Sequence, residues 1–135
     1  MIVLDTHTAI WYATGAKLAP RARVLIESEA RRGGVILSAI SAWEIGMLAY
    51  KDRLGFLAAD VGSYIGELFS MDGVSEQPVT VKIAELAARL PGFHGDRADR
   101  IIVATAVERS ATLVTRDARI NAYAKATTFV NALRC

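Results

Sequence analysis

The sequence predicts a single α/β domain with helices on both faces of a parallel sheet, spanning residues 1–135. Three observations predict it. Short apolar runs recur along the chain, as Ile2-Val-Leu4, Val35-Ile-Leu37 and Leu113-Val114 in the segment ending at Thr115. Stretches with helical spacing separate them, and strands buried on both faces and linked by helices form parallel sheets. A chain of 135 residues suits one domain with a sizeable core.

The elements follow in order. Ile2-Val-Leu4 is a buried strand. Thr6 to Ala13 is a helix ended near Gly15. Pro20 suits a first helical turn, and the segment to residue 32 carries Ala22, Val24, Leu25, Ile26 and Ala30 before Gly33-Gly34. Val35-Ile-Leu37 is the second strand, and a helix runs from about Ala42 to Lys51. Val61, Tyr64, Ile65, Leu68 and Phe69 mark another from about Ala59 to Met71. Val74 to Gln77 is a third strand bounded by Pro78. Val81 to Leu90 is helical, Pro91 to Gly95 is a loop, and Asp99 to Ser110 is helical through Ile102, Val103, Ala106 and Val107. Ala111 to Thr115 and Thr128-Phe-Val130 complete the strands. No repeat, linker or low-complexity tract interrupts the series.

Composition narrows the function. No run approaches the ~18 uninterrupted apolar residues of a membrane span, and the N-terminus lacks a basic region and cleavage site. The lone Cys135 forms no internal disulfide, in keeping with a reducing compartment. A cytoplasmic protein without membrane contact is expected. The net charge of +2 is a weak pointer to nucleic acid. More telling is that Arg89, Arg97, Arg100, Arg109, Arg116 and Arg119 interleave with Asp96, Asp99 and Asp117. That mixture suits a site for both metal and phosphate, but an ordinary solvated surface looks the same and is the plainer reading of the charges alone.

The acids fall at or just past strand ends, where open parallel sheets bind ligands. Asp5 follows Ile-Val-Leu, Glu44 lies one helical turn beyond the second strand, and Asp117 follows Leu113-Val-Thr-Arg116. Asp96 and Asp99 open the helix leading into that last strand. Each has a plainer explanation. Asp5, Asp96 and Asp117 suit helix N-caps, and Ser41-Ala-Trp-Glu44 fits a capping box. Capping, however, does not require acids. Carboxylates gathered at one sheet edge repel by up to ~4 kcal/mol per close pair at an effective dielectric near 20. A divalent cation or retained protons would relieve this.

All-oxygen ligands favour Mg²⁺ or Mn²⁺ over Zn²⁺. His7 and His94 form no metal-binding spacing and are expected at the surface or hydrogen-bonded. Such a metal site suits phosphoryl chemistry with a metal-activated water. Gly-x-Ser-x-Gly, a phosphate-binding Gly-x-x-x-x-Gly-Lys and a dinucleotide-binding Gly-x-Gly-x-x-Gly are all absent, which removes those classes.

Four motifs in order carry a resemblance. They are Ile-Val-Leu-Asp5-Thr6, Ser41-x-x-Glu44, Asp96-x-x-Asp99-Arg100 followed by Ile-Ile-Val-Ala-Thr-Ala, and Leu-Val-Thr115-Arg116-Asp117. Together they resemble the PIN-domain ribonucleases, and more closely the VapC-type toxins of bacterial toxin–antitoxin pairs. The resemblance spans essentially the whole chain. It implies a three-layer α/β/α PIN-like fold with about five parallel strands, and Mg²⁺- or Mn²⁺-dependent endonucleolytic cleavage of RNA. Asp5, Glu44, Asp99 and Asp117 take the family's four acidic positions as catalytic metal ligands, and Asp96 an auxiliary one. Thr6 and Thr115 match hydroxyls placed near the metal. The resemblance also implies a homodimer and a cognate antitoxin that blocks the site, in a heterotetramer or larger complex. Relatives often carry Asp-Pro-x-Asp-Arg, where this chain has Asp96-Arg97-Ala98-Asp99-Arg100.

Arg97, Arg100 and Arg116 are candidate RNA contacts. Trp11, Tyr12, Trp43, Met47, Phe56, Tyr64 and Phe69 are expected mostly in the core. Trp11, Tyr12 and Tyr64 are also candidates for antitoxin binding, because aromatics are enriched at interfaces. Two other functions stay open: a metal nuclease acting on DNA, and an inactive PIN-like module that binds RNA or a partner.

Overall fold

β1 (Ile2–Leu4) enters the sheet at the second residue of the chain and becomes its middle strand. The computed structural model describes residues 1–16, 18–51 and 60–135. Within these, α1 (Thr6–Ala13) and α2 (Pro20–Ala30) lead to β2 (Val35–Ser38). α3 (Ile40–Tyr50) and α4 (Val61–Phe69) precede β3 (Val74–Gln77). α5 (Val81–Arg89) and α6 (Arg97–Glu108) lead to β4 (Thr112–Thr115), and α7 (Ala118–Ala126) to β5 (Ala132–Arg134). The five strands of the described residues lie in the order β3-β2-β1-β4-β5, and every pairing is parallel.

Side-chain alternation divides the core into two faces. Ile2, Leu4, Val35, Leu37 and Val114 point to one side, where α1, α2, α3 and α4 contribute Ile10, Ile26, Ile45 and Leu68. Val3, Ile36 and Leu113 point to the other, against Ile102, Val103 and Ala106 of α6 and Ile120 and Tyr123 of α7. α5 packs outside α6 through Ile83 and Ala87 against Ala104. This is the expected α/β/α sandwich. Each fully buried Leu or Ile contributes roughly 1.5–3 kcal/mol, so the aliphatic residues of both faces carry the fold. No helix among the described residues is long and apolar enough to cross a membrane.

Four expectations are corrected. The last strand is Ala132–Arg134 and not Thr128–Val130. The ladder to β4 begins at the Asn131 carbonyl, which accepts from Leu113 N at 2.8 Å, and Val130 instead plugs the second core face. Ala118–Ala126, without an assigned element in the sequence pattern, is a helix capped by Asp117, with Ile120 and Tyr123 buried three residues apart. α3 begins at Ile40 behind Ala39, which makes no side-chain cap, so Ser41 and Glu44 sit inside the helix and form no capping box. Trp43 is 57% exposed rather than core. Trp11, Tyr12, Tyr64 and Phe69 are partly buried against the first face. Phe56 and Ala59 lie outside the described residues.

Gly73 joins α4 to β3 at φ +77°, and its carbonyl accepts from Val35 N at 3.2 Å. A Cβ there would overlap the Ala30 backbone, whereas one at Gly33 (φ +67°) would meet open space. Gly73→Ala is therefore expected to cost clearly more than Gly33→Ala, which carries only the left-handed penalty of ~1–2 kcal/mol. Urea denaturation of the two variants checks this ordering.

Candidate active site

The strand order places a switch point beside β1. The chain leaves β1 toward β2 and β3, then crosses back to β4 on the other side. Such a crevice, beyond the carboxyl ends of the strands, is where doubly wound sheets bind ligands. Leu4 is in register with Leu37 on one side and Val114 on the other, so the chain ends its strand at Asp5 level with Ser38 and Thr115. Here a pocket of about 420 Å³ opens. Asp5, Glu44, Asp96, Asp99 and Asp117 line it, with Thr6, His7, Trp11, Arg116 and Arg119.

The capping and pocket readings of the acids are both true of the same side chains. Asp5 Oδ1 accepts from Thr8 N at 2.7 Å, capping α1. Its Oδ2 accepts from the buried Thr115 hydroxyl. Asp96 Oδ1 caps α6 through Ala98 N and Asp99 N. That cap starts the helix at Arg97 without the proline that relatives often carry. Asp117 Oδ1 caps α7 through Arg119 N and Ile120 N, and its Oδ2 faces Arg119 at 3.4 Å. Each cap contributes about 1 kcal/mol, and each leaves a second oxygen uncommitted to its helix.

Glu44 and Asp99 cap nothing. Glu44 Oε2 accepts from Thr6 Oγ1, which also lies 2.9 Å from Ser41 Oγ. Thr6, Ser38, Ser41, Thr105 and Thr115 are all buried, so a bed of hydroxyls underlies the acids. Ser41 heads the Ser41-x-x-Glu44 motif, whereas Ser38 is a member that sequence spacing does not single out, because a buried hydroxyl leaves no periodic signature. Asp99 Oδ2 lies 3.5 Å from both Arg119 and His94 Nε2. His94 Nδ1 accepts from Asp96 N at 3.3 Å, which assigns the proton of the neutral ring to Nε2, facing Asp99.

Charge crowding is visible in proton affinities. Burial, then Asp96, Glu44 and Asp117, push the Asp99 carboxyl up to about 7, against a partial offset from Arg119. Burial also raises Glu44, with Thr6 opposing. Burial acts upward on Asp117 too, but the Ile120 and Arg119 amides and the Arg119 guanidinium outweigh it and hold it below the ordinary value. Burial and then Arg119 lower His94, which favours its neutral form.

A hard divalent cation fits this donor set, which offers carboxylate and hydroxyl oxygens around a half-buried, proton-retaining acid. Among the described residues no three acidic, imidazole or thiol groups already converge as a ready chelate. Asp99 and Asp117 are turned on Arg119, Asp5 on Thr115 and Glu44 on Thr6, so their side chains would have to re-aim.

The other candidates divide. Trp11 and Arg116 stand together at the pocket wall, with the Arg116 guanidinium 4.3 Å from the indole centroid. The His7 ring lies 5.8 Å from that of Trp11, tilted by 45°. Arg97 lines an adjoining cavity. Arg100 does not face the pocket: its guanidinium donates to the carbonyls of Ala87, Ala88, Leu90, Phe93 and His94. It ties the α5–α6 loop instead of presenting a free cation. Tyr12 and Tyr64 pack on the first core face, away from the acids. Arg119 and His7 are pocket residues that motif spacing does not mark. Only Arg119's position two residues past Asp117 hints at it.

This arrangement, acids from three strand ends meeting at the switch point of a parallel α/β/α sheet, has known counterparts. The PIN domain family model matches residues 2–126. The chain belongs to the PIN-domain family. Within it, Ribonuclease VapC22 of Mycobacterium tuberculosis is 36% identical over 124 residues, covering 90% of this chain and 91% of that protein. A DNA-bound VapBC structure from Salmonella typhimurium superposes with a TM-score of 0.69, at 15% identity, covering 98% of this chain and 96% of that one. A toxin–antitoxin complex from Klebsiella pneumoniae gives 0.56 at 17% identity, covering 87% of each chain. At those identities the structural likeness is one of fold.

Asp99 supplies a pH test. The folded chain holds its proton to about pH 7, while a free aspartate loses it near 3.8. Its contribution to stability is therefore full below about 3.8 and is lost as pH rises through 7. In metal-free buffer, Asp99→Asn is expected to melt a few degrees above wild type at pH 8, the gap closing toward pH 4. Thermal melts across that range check it.

Proposed function

We propose that the chain is a Mg²⁺- or Mn²⁺-dependent endoribonuclease, the toxin of a toxin–antitoxin pair. The observation that carries this reading is the gathering of Asp5, Glu44, Asp99 and Asp117 in one crowded pocket at the sheet's switch point. The likeness to a protein named a ribonuclease supports RNA as the substrate.

Asp5, Glu44, Asp99 and Asp117 would hold the cation, and Asp96 would add charge at the rim. A bound divalent ion supplies a more acidic water and neutralises charge on the phosphodiester. The chain's own residues do the rest. Thr8 N and Thr115 fix both oxygens of Asp5, so its carboxylate is oriented before substrate arrives. Burial raises Glu44 above the ordinary carboxylate value, which makes its carboxylate a stronger proton acceptor. Arg116 and Arg119 line the pocket, Arg116 already donating to the Cys135 carbonyl and Arg119 facing Asp99 and Asp117, and both would meet phosphate oxygens there. Thr6 positions Glu44.

The cognate antitoxin covers the α1–α4 side. Trp11 is the physical link, because it lines the acidic pocket while packing on the core face that also holds Tyr12 and Tyr64. The Klebsiella pneumoniae structure is a complex of this general kind. A homodimer and a larger assembly with antitoxin belong to the same proposal.

Matched RNA and DNA oligonucleotides incubated with Mg²⁺, or with EDTA, test the activity. RNA is expected to be cut only with metal. Asp5→Asn is expected to lower the rate at least ~100-fold with the melting curve retained. Cutting of DNA alone would favour a DNA nuclease, and cutting of neither would favour a binding module. For the partner, Trp11→Ala and Tyr64→Ala are each expected to weaken antitoxin binding about tenfold. Calorimetric affinities equal to wild type for folded variants would refute that surface.

A further inference from the structure

A second cavity of about 400 Å³ adjoins the acidic pocket and shares His7, Glu44 and Asp96 with it. One wall is the face of α3 that carries Trp43, Met47 and Lys51, and the other is the start of α6 at Arg97. Trp43 and Met47 are four residues apart and lie on one face of the helix. Lys51 caps the same helix, about 12 Å farther along the axis from Trp43 at 1.5 Å per residue. Glu44, the next residue after Trp43, is turned about 100° around the axis and lines both cavities. α3 thus offers a carboxylate to the acidic pocket and an indole to its neighbour from successive positions.

Trp43 is 57% exposed, although tryptophan is on average a highly buried residue. Its surroundings suit one chemistry. A flat aromatic face, a thioether and cations on opposite walls line a concave space of ligand size. Aromatic faces with flanking cations are the means by which proteins hold single-stranded nucleic acid. Tryptophan, methionine and arginine are also frequent at protein interfaces, where lysine is depleted, so of these four wall residues it is Lys51 that points to a phosphate-bearing strand. The shared rim also leaves a strand cut at the acids an open path into this cavity.

We propose that the Trp43 cavity is a nucleobase subsite. The base of a nucleotide beside the cleaved bond stacks on Trp43, and Arg97 and Lys51 hold its flanking phosphates. This rests on the ribonuclease reading and adds to it a determinant of where the strand lies.

Single-stranded RNA with one abasic site moved stepwise around the mapped cut tests it, using wild type, Trp43→Ala and Trp43→Phe. In wild type, one abasic position next to the cut should lower kcat/KM about tenfold, the scale of a lost stack. Trp43→Ala should cut intact RNA about tenfold less well and lose nothing further at that position. Trp43→Phe should retain most activity and the abasic sensitivity. A readout without turnover uses EDTA and a Trp11→Phe background, where intact RNA should quench Trp43 emission and the abasic RNA should not. Full activity of Trp43→Ala, or an undiminished abasic effect in it, overturns the subsite. So does a Trp43→Ala protein that cuts RNA normally but becomes monomeric in sedimentation or loses antitoxin, since the surface is then a protein interface. If wild type cuts no RNA at all, the ribonuclease reading falls first and the subsite with it. Melting curves check that Trp43→Ala is folded.

Discussion

The register that pairs Leu4 with Leu37 on one side and Val114 on the other is the constraint on which the site depends. A parallel strand flanked by crossovers that run in opposite directions leaves a gap at its carboxyl end. β1 is that strand, and Asp5 is the residue at which it stops pairing like a ladder. Its amide still reaches the Val114 carbonyl at 3.2 Å, so the acid is held at sheet level and not in a free loop. A slip of one residue would turn Ile2 and Leu4 onto the opposite face and carry Asp5 away from Thr115. The two aliphatic cores therefore specify the site indirectly, by making any other register costly.

Crowded charge is the second theme. Five carboxylates share one pocket, and the fold accommodates them by giving each an internal partner. Three use one oxygen to cap a helix, at about 1 kcal/mol each. Two accept buried threonine hydroxyls, and Arg119 stands between Asp99 and Asp117. Asp99 is the acid left with least support, and it keeps its proton to about pH 7. The same partners that make the acids tolerable also orient them in the pocket. A choice between helix cap and pocket wall, natural to pose for each residue in isolation, dissolves once both oxygens are counted.

Legibility varied with the kind of information. Strand and helix order through β4 followed from local apolar spacing, because a strand buried on both faces and an amphipathic helix carry their signature within a few residues. β5 did not. Thr128-Phe-Val has the better strand composition, but pairing with β4 begins at Asn131, and Val130 is used as a core plug. α7 escaped because its two buried residues are too few to make a stripe. Arg100 shows the opposite failure. It follows the acids in sequence as a phosphate-binding arginine would, yet five carbonyls of the α5–α6 connection claim its guanidinium.

By itself the sequence determined the class of fold, the family and the identity of the acids, since these reside in patterns of residue type and order. Tertiary structure alone decided which groups surround those acids. Asp5 was one carboxylate after one strand, and its two oxygens acquire separate duties only when Thr8 and Thr115, 107 residues apart, arrive on either side of it. Arg119, His7 and Ser38 joined the site in the same way, and Trp43 left the core. The physical reason is that side-chain partnership depends on distance in space, whereas sequence records only distance along the chain.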